Sequence, residues 1–190
     1  ERGAVETALL LVRAAATARA DAVKFQIVFV DELAAPGNVD YDVFRRLEMT
    51  TAEWGEVRDF ARAERIDFMA DIFGPRSLSV AREIALDGVK IHSTCFFDHE
   101  FVADVLDLGC EVYVSLGGIE SPETHDFLER HGLPGRCAAT LMYGFQAEPT
   151  PLDQNNLSRI PVIREEFGLP VGFMDHSDGA GSDTTTLSVL

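Results

Sequence analysis

Two lysines interrupt runs that are otherwise apolar. Ala22-Val23-Lys24-Phe25-Gln26 and Gly88-Val89-Lys90-Ile91-His92-Ser93 both read as strands with an ammonium set into them. A buried ammonium is costly without an anionic partner, so each lysine requires one. Two such lysines in an acidic chain suit a small dianion such as a phosphate ester, held by charge-assisted hydrogen bonds. Strand-end acids, Asp71 or Asp175, are the competing partners. Ser115-Leu116-Gly117-Gly118 could add hydroxyl and backbone N–H donors to the same anion, and a plain turn uses the same residues equally well. Phe173-Met174-Asp175-His176-Ser177-Asp178-Gly179 flanks an imidazole with carboxylates. That arrangement suits divalent-metal ligation, acid–base work or capping of a following helix. His92 offers the same options more weakly.

These residues matter because of where the surrounding pattern puts them. Short β-branched or aromatic runs alternate with amphipathic helical stretches, the sign of βαβ units around a parallel sheet. The expected strands are Ala22 to Ile27, Ile66 to Asp71, Gly88 to Ile91, Glu111 to Ser115, Ala138 to Met142 and Val171 to Met174. Polar or small residues collect at their C-terminal ends, which is where barrel active sites are assembled. Helix signals fall between them. Thr50 with Glu53 predicts a capping box ahead of Trp54 to Ala63, and Ser121-Pro122-Glu123 predicts a cap, an N1 proline and an acid. Ser158 to Phe167 is expected to stop at Gly168. Val5 to Ala18 carries an apolar stripe of Ala8, Leu9, Leu11, Val12 and Ala15, and Ser188-Val189-Leu190 lies in a further helical run. The connection from Val28 to Met49, with Ala35-Pro36-Gly37-Asn38 near its middle, is expected to be a long loop, either one that overhangs the active-site face or a plain surface insertion.

No GxGxxG or GxxxxGK[ST] follows any strand, so a nucleotide-binding doubly wound sheet lacks its phosphate loop and a (β/α)8 barrel is favoured. The 190 residues carry a formal charge of −16, which argues against general binding to nucleic acid or to an anionic membrane surface. Cys95, Cys110 and Cys137 lie far apart without a CxxC pair, which fits a reducing compartment. No apolar run approaches the roughly 18 to 20 residues of a membrane helix, and a cytoplasmic location is expected.

At this point the chain resembles a known family, the N-acetylneuraminate (sialic acid) synthases and their pseudaminic and legionaminic acid relatives. Six short motifs occur in family order. Val-Lys-x-Gln of the second barrel strand is Val23-Lys24-Phe25-Gln26, and Pro-Gly-Asn of the overhanging connection is Pro36-Gly37-Asn38. Lys-Ile-x-Ser of the fourth strand is Lys90-Ile91-His92-Ser93. Ser-x-Gly of the fifth is Ser115-Leu116-Gly117, Pro-Thr-Pro after the sixth is Pro149-Thr150-Pro151, and Asp-His of the seventh is Asp175-His176.

The resemblance implies a single TIM-barrel domain over residues 1–190, covering about strands 2 to 7. The first-strand motif, the eighth-strand histidine and the C-terminal antifreeze-like domain would lie outside it. A barrel lacking two strands is expected to be unstable or oligomeric when expressed alone, because both sheet edges stay open. The implied activity is condensation of phosphoenolpyruvate with an N-acetylmannosamine-like aldehyde. The enol carbon attacks the aldehyde, water adds to the resulting oxocarbenium, and phosphate leaves with C–O cleavage. Lys24, Lys90, Ser93, Ser115 and Gly117 would hold phosphoenolpyruvate, and Gln26 and Asn38 would touch the sugar. His176 would be one of two histidine ligands to a divalent manganese or magnesium ion. A homodimer is implied for the intact protein. The chain also departs from the family: Ser-Thr-Pro-Phe of the third strand is Ala70-Asp71-Ile72-Phe73, so an acid replaces a phosphate-facing hydroxyl. Cys95, Glu148 and Met174 also stand where the family has an acid, an aromatic and a serine. Another barrel lyase or aldolase, or a non-catalytic sugar- or anion-binding barrel, are the alternatives.

Overall fold

A computed structural model describes residues 3–145 and 147–177. The helical run at 188–190 and the last two residues of the 173–179 segment lie outside them. The fold is α/β. It divides into two compact units, Glu1–Glu111 and Val112–Leu190.

In the first unit, α1 (Gly3–Thr17) precedes β1 (Ala22–Gln26), and α4 (Thr51–Glu64) precedes β2 (Asp67–Ile72). Helix α5 (Pro75–Ile84) then leads to β3 (Gly88–Ile91), and α6 (His99–Leu106) follows. Neighbouring strands are parallel and in chain order, with Gln26 opposite Asp71 and Asp71 opposite Lys90. Side chains alternate across a strand. Phe25 and Phe68 therefore share one face, where their rings lie 5.7 Å apart and meet Trp54 of α4 at 5.9 and 6.4 Å. Each such ring pair adds about 0.5–1.5 kcal/mol to the gain from burial alone. Lys24, Gln26, Asp71 and Lys90 are left on the opposite face.

The helix signals are largely realised. Thr50 Oγ1 accepts from Glu53 N at 3.3 Å and Glu53 Oε2 accepts from Thr50 N at 2.7 Å, closing the expected capping box. The stripe on α1 is narrower than expected: Val5, Ala8 and Val12 are buried, whereas Leu11 is 52% exposed. The residues from Val28 to Met49 are not a bare loop. They hold two short helices, α2 (Val30–Leu33) and α3 (Tyr41–Leu47). Tyr41 Oη donates to Asp31 at 2.9 Å and Val30 N donates to Glu48 at 2.8 Å, so tertiary contacts hold pieces too short to be helical alone.

Glu32 ties this segment to the next strand–helix junction. Its carboxylate accepts from the backbone N–H of Ser77 at 3.2 Å and from Ser77 Oγ at 2.6 Å, and also from Arg76 N, at the start of α5. A carboxylate there satisfies N–H groups that the helix cannot satisfy itself. Gly74 makes room, since a Cβ at that position would lie 2.7 Å from Glu32 Cδ.

In the second unit, β4 (Glu111–Ser115), β5 (Ala139–Tyr143) and β6 (Val171–Phe173) are again parallel and in chain order, with α7 (Ser121–His131) and α8 (Arg159–Phe167) between them. Phe127, Leu141 and Val114 are fully buried in its core. The cap of α7 is Glu120, one residue earlier than expected, so Pro122 stands at the second helical position. Glu123 accepts from Glu120 N at 2.8 Å, while the Ser121 hydroxyl donates to Glu166. Helix α8 stops at Gly168, whose φ of 65° is the left-handed conformation expected there.

Candidate functional site

The first unit brings both strand lysines to one oxygen. Asp71 Oδ2 accepts from Lys24 Nζ at 2.8 Å and from Lys90 Nζ at 3.0 Å. Asp71 is fully buried and Lys90 is 8% exposed, while the Lys24 side chain keeps 36% of its surface. Register accounts for the convergence: Gln26, Asp71 and Lys90 form one row across three strands, and Lys24 stands two residues earlier on the same face. Of the two partners weighed for the lysines within the protein, Asp71 is the one in contact. Burial pulls the Lys90 ammonium below its ordinary pKa; the Asp71 carboxylate opposes that shift and the Lys24 charge adds to it. The second carboxylate oxygen, Oδ1, is buried with no hydrogen-bond partner among the described residues.

Other residues of this unit have more local contacts. Gln26 is exposed at the end of β1. Asn38 Oδ1 accepts from Asp40 N at 2.8 Å and so closes a turn between α2 and α3. His92 caps a short 3-10 turn that begins at Ser93, accepting from Thr94 N at 3.3 Å, and its ring lies 5.6 Å from Phe73. Cys95 is buried, and burial raises its thiol pKa, which favours the protonated form.

The second unit carries Ser115, Gly117 and His176. Ser115, at the end of β4, is 1% exposed and its Oγ has no hydrogen-bond partner among the described residues. The residues after it form the turn that was one of the two readings. Ile119 N donates to Leu116 O at 3.1 Å, with Gly117 and Gly118 at the corner and Gly118 at φ +77°, where a side chain would be strained. At the other strand ends, Tyr143 Oη donates to Asn155 O at 2.8 Å, and burial raises the phenol pKa against the opposing charge of Arg159.

His176 Nδ1 lies 2.8 Å from Phe145 O. A carbonyl oxygen only accepts, so Nδ1 carries the proton and a neutral ring presents its lone pair at Nε2. This is the orientation of a metal-ligating histidine held by a second contact. Asp175 does the turn-capping work, accepting from Ser177 N at 2.9 Å and from the Ser177 hydroxyl. Among the described residues no group of three or more His, Cys, Asp or Glu side chains is placed to hold a metal. His176 therefore fits as one ligand and does not make a site by itself.

Asp71 is one of the two acids expected to compete for the lysines, and strand register, which sets it between them, decides for it over Asp175.

The chain is 28% identical to the spore coat polysaccharide biosynthesis protein SpsE of Bacillus subtilis over 93% of its length and 50% of that protein. It is 23% identical to N,N'-diacetyllegionaminic acid synthase of Legionella pneumophila, over 93% of this chain and 55% of that one. The chain thus spans about half the length of these curated relatives. A solved N-acetylneuraminic acid synthetase from Leptospira borgpetersenii, in complex with citrate, superposes with a TM-score of 0.90 at 24% identity, covering 98% of this chain and 65% of that one. No described helix is long and apolar enough to cross a membrane. The NeuB family model matches residues 11–189, and the chain belongs to the NeuB family.

Proposed function

We propose that this chain supplies strands 2 to 7 of a (β/α)8 synthase domain that condenses phosphoenolpyruvate with an amino-sugar aldehyde to give a nonulosonic acid and phosphate. The observation that carries this reading is the convergence of Lys24 of β1 and Lys90 of β3 on Asp71 of the strand between them, within a chain matched to the family over nearly its whole length. In this reading Lys24 and Lys90 hold the acid and phosphate groups of phosphoenolpyruvate, with Ser93, Ser115 and the Gly117 backbone as further donors. Gln26 and Asn38 contact the sugar. Loss of phosphate by C–O cleavage leaves negative charge on the departing group, which neighbouring ammoniums stabilise. His176, through Nε2, is one ligand of a divalent manganese or magnesium ion, which when bound polarises the aldehyde carbonyl. The intact protein is a cytoplasmic homodimer in this reading.

The test uses the full-length protein that contains this chain. Phosphate release from phosphoenolpyruvate is measured with N-acetylmannosamine, mannose and other aldehydes. Release that depends on one aldehyde, is lost on chelation and returns with manganese or magnesium is the expected result. His176→Ala should weaken metal binding at least about tenfold, read by direct metal titration. No release with any aldehyde would reject the condensation. Asp71 between the lysines favours a second reading in that case, a barrel lyase or aldolase acting on a less highly charged metabolite.

A further inference from the structure

The charged groups of the first unit surround a single oxygen. Both lysines donate to Asp71 Oδ2, and Oδ1 of the same carboxylate is buried without a hydrogen-bond partner among the described residues. An ammonium has three N–H donors, so each lysine keeps two after this contact. Two cations and one anion leave the cluster a single net positive charge. The place where a ligand oxygen would face both ammoniums at once is already filled by a carboxylate of the chain.

We propose that Asp71 is a resident counter-anion that sets the charge of the Lys24–Lys90 site, so that it penalises dianionic ligands more than monoanionic ones. The proposal rests on the preceding reading in one respect, that an anionic substrate lies against these lysines. A dianion brought there meets the Asp71 carboxylate in a buried setting where salt screens little, and its second charge is opposed. A monoanion meets the same carboxylate with half the penalty. Asp71 also accounts for how Lys90 is tolerated at 8% exposure with no ligand bound.

The test is calorimetric titration of the full-length protein and of its Asp71→Asn and Asp71→Thr variants. The probes are inorganic phosphate, phosphoenolpyruvate and 2-methoxyacrylate, a monoanion that keeps the enol and carboxylate but lacks the phosphate. Inorganic phosphate and phosphoenolpyruvate should bind at least about tenfold more tightly to folded variants than to the parent, with 2-methoxyacrylate changed by less than about threefold. Unchanged or weaker binding of both phosphate probes to folded variants would overturn the proposal and leave Asp71 as an aligner of the lysines. Should both variants fail to fold, the parent decides. A preference for phosphoenolpyruvate over 2-methoxyacrylate of no more than about tenfold bears the proposal out, and a larger one overturns it. Phosphate release with an aldehyde is scored separately. Release by the parent without a gain in the variants rejects the counter-anion and leaves the condensation standing, and a gain without release does the reverse.

Discussion

The strand ends of the two units solve one problem in different ways. In the first unit, three charged side chains on adjacent strands satisfy one another, with Lys24 and Lys90 sharing Asp71. In the second, two side chains at or just past the strand ends bond loop backbone instead: Tyr143 donates to Asn155 O and His176 is held by Phe145 O. A charge cluster on strands keeps its geometry as long as register holds, and each member is costly to remove. Side chains bonded to loop carbonyls position the loops cheaply, and each contact is worth only a neutral hydrogen bond.

The largest effect that would break this contrast is Asp71→Ala. It leaves Lys90 buried beside Lys24 with no anion, and should cost about 3 kcal/mol in urea unfolding, the low end of the range for orphaning a buried ion, because Lys24 is partly exposed. A cost under about 1 kcal/mol would mean that the cluster behaves like a surface pair. Lys90→Met should weaken phosphoenolpyruvate binding by about ten- to a hundredfold, with aldehyde binding much less affected, as separate calorimetric titrations would read. Tyr143→Phe is the matched test in the second unit. Loss of its hydrogen bond to Asn155 O should lower stability by about 1 kcal/mol.

The smallest effect is a pH dependence. Burial lowers the folded pKa of Lys90, so between that value and the ordinary lysine pKa of about 10.4 the unfolded chain binds more protons than the folded one. This residue's contribution to stability therefore rises with pH across that window. The unfolding free energy of the parent minus that of Lys90→Met should grow as pH is raised from about 7 toward about 10, and a flat difference would contradict the depressed pKa.

The strands were legible because an apolar or β-branched run bounded by turn residues has few other uses, and all six begin and end within one residue of their expected bounds. Lys24 and Lys90 were legible as residues that need a charged partner, because an ammonium in such a run demands one. The choice of Asp71 over Asp175 as that partner was not, since it depends on Gln26, Asp71 and Lys90 falling in one row, a property of three strands together. Helices α2 and α3 were illegible for a related reason. Their contacts, Tyr41 to Asp31 and Val30 to Glu48, join residues ten or more apart, and neither helix has the length to announce itself by periodicity. Leu11 had the right period for the buried stripe and lies at its exposed margin, where residue type alone says little.

The carboxylate of Glu32 has a consequence for how the 28–49 segment moves. Because that carboxylate accepts the N–H groups of Arg76 and Ser77, the segment cannot lift without stripping the first turn of α5 of its acceptors. Those two amides are thus built-in reporters of the segment's opening, and their deuterium uptake should follow the frequency with which the α2–α3 flap leaves the surface. In Glu32→Gln, which keeps the shape and weakens the acceptor, both amides should exchange faster, while the amide of Phe68 in β2, which donates to the Asp87 carboxylate, keeps its rate.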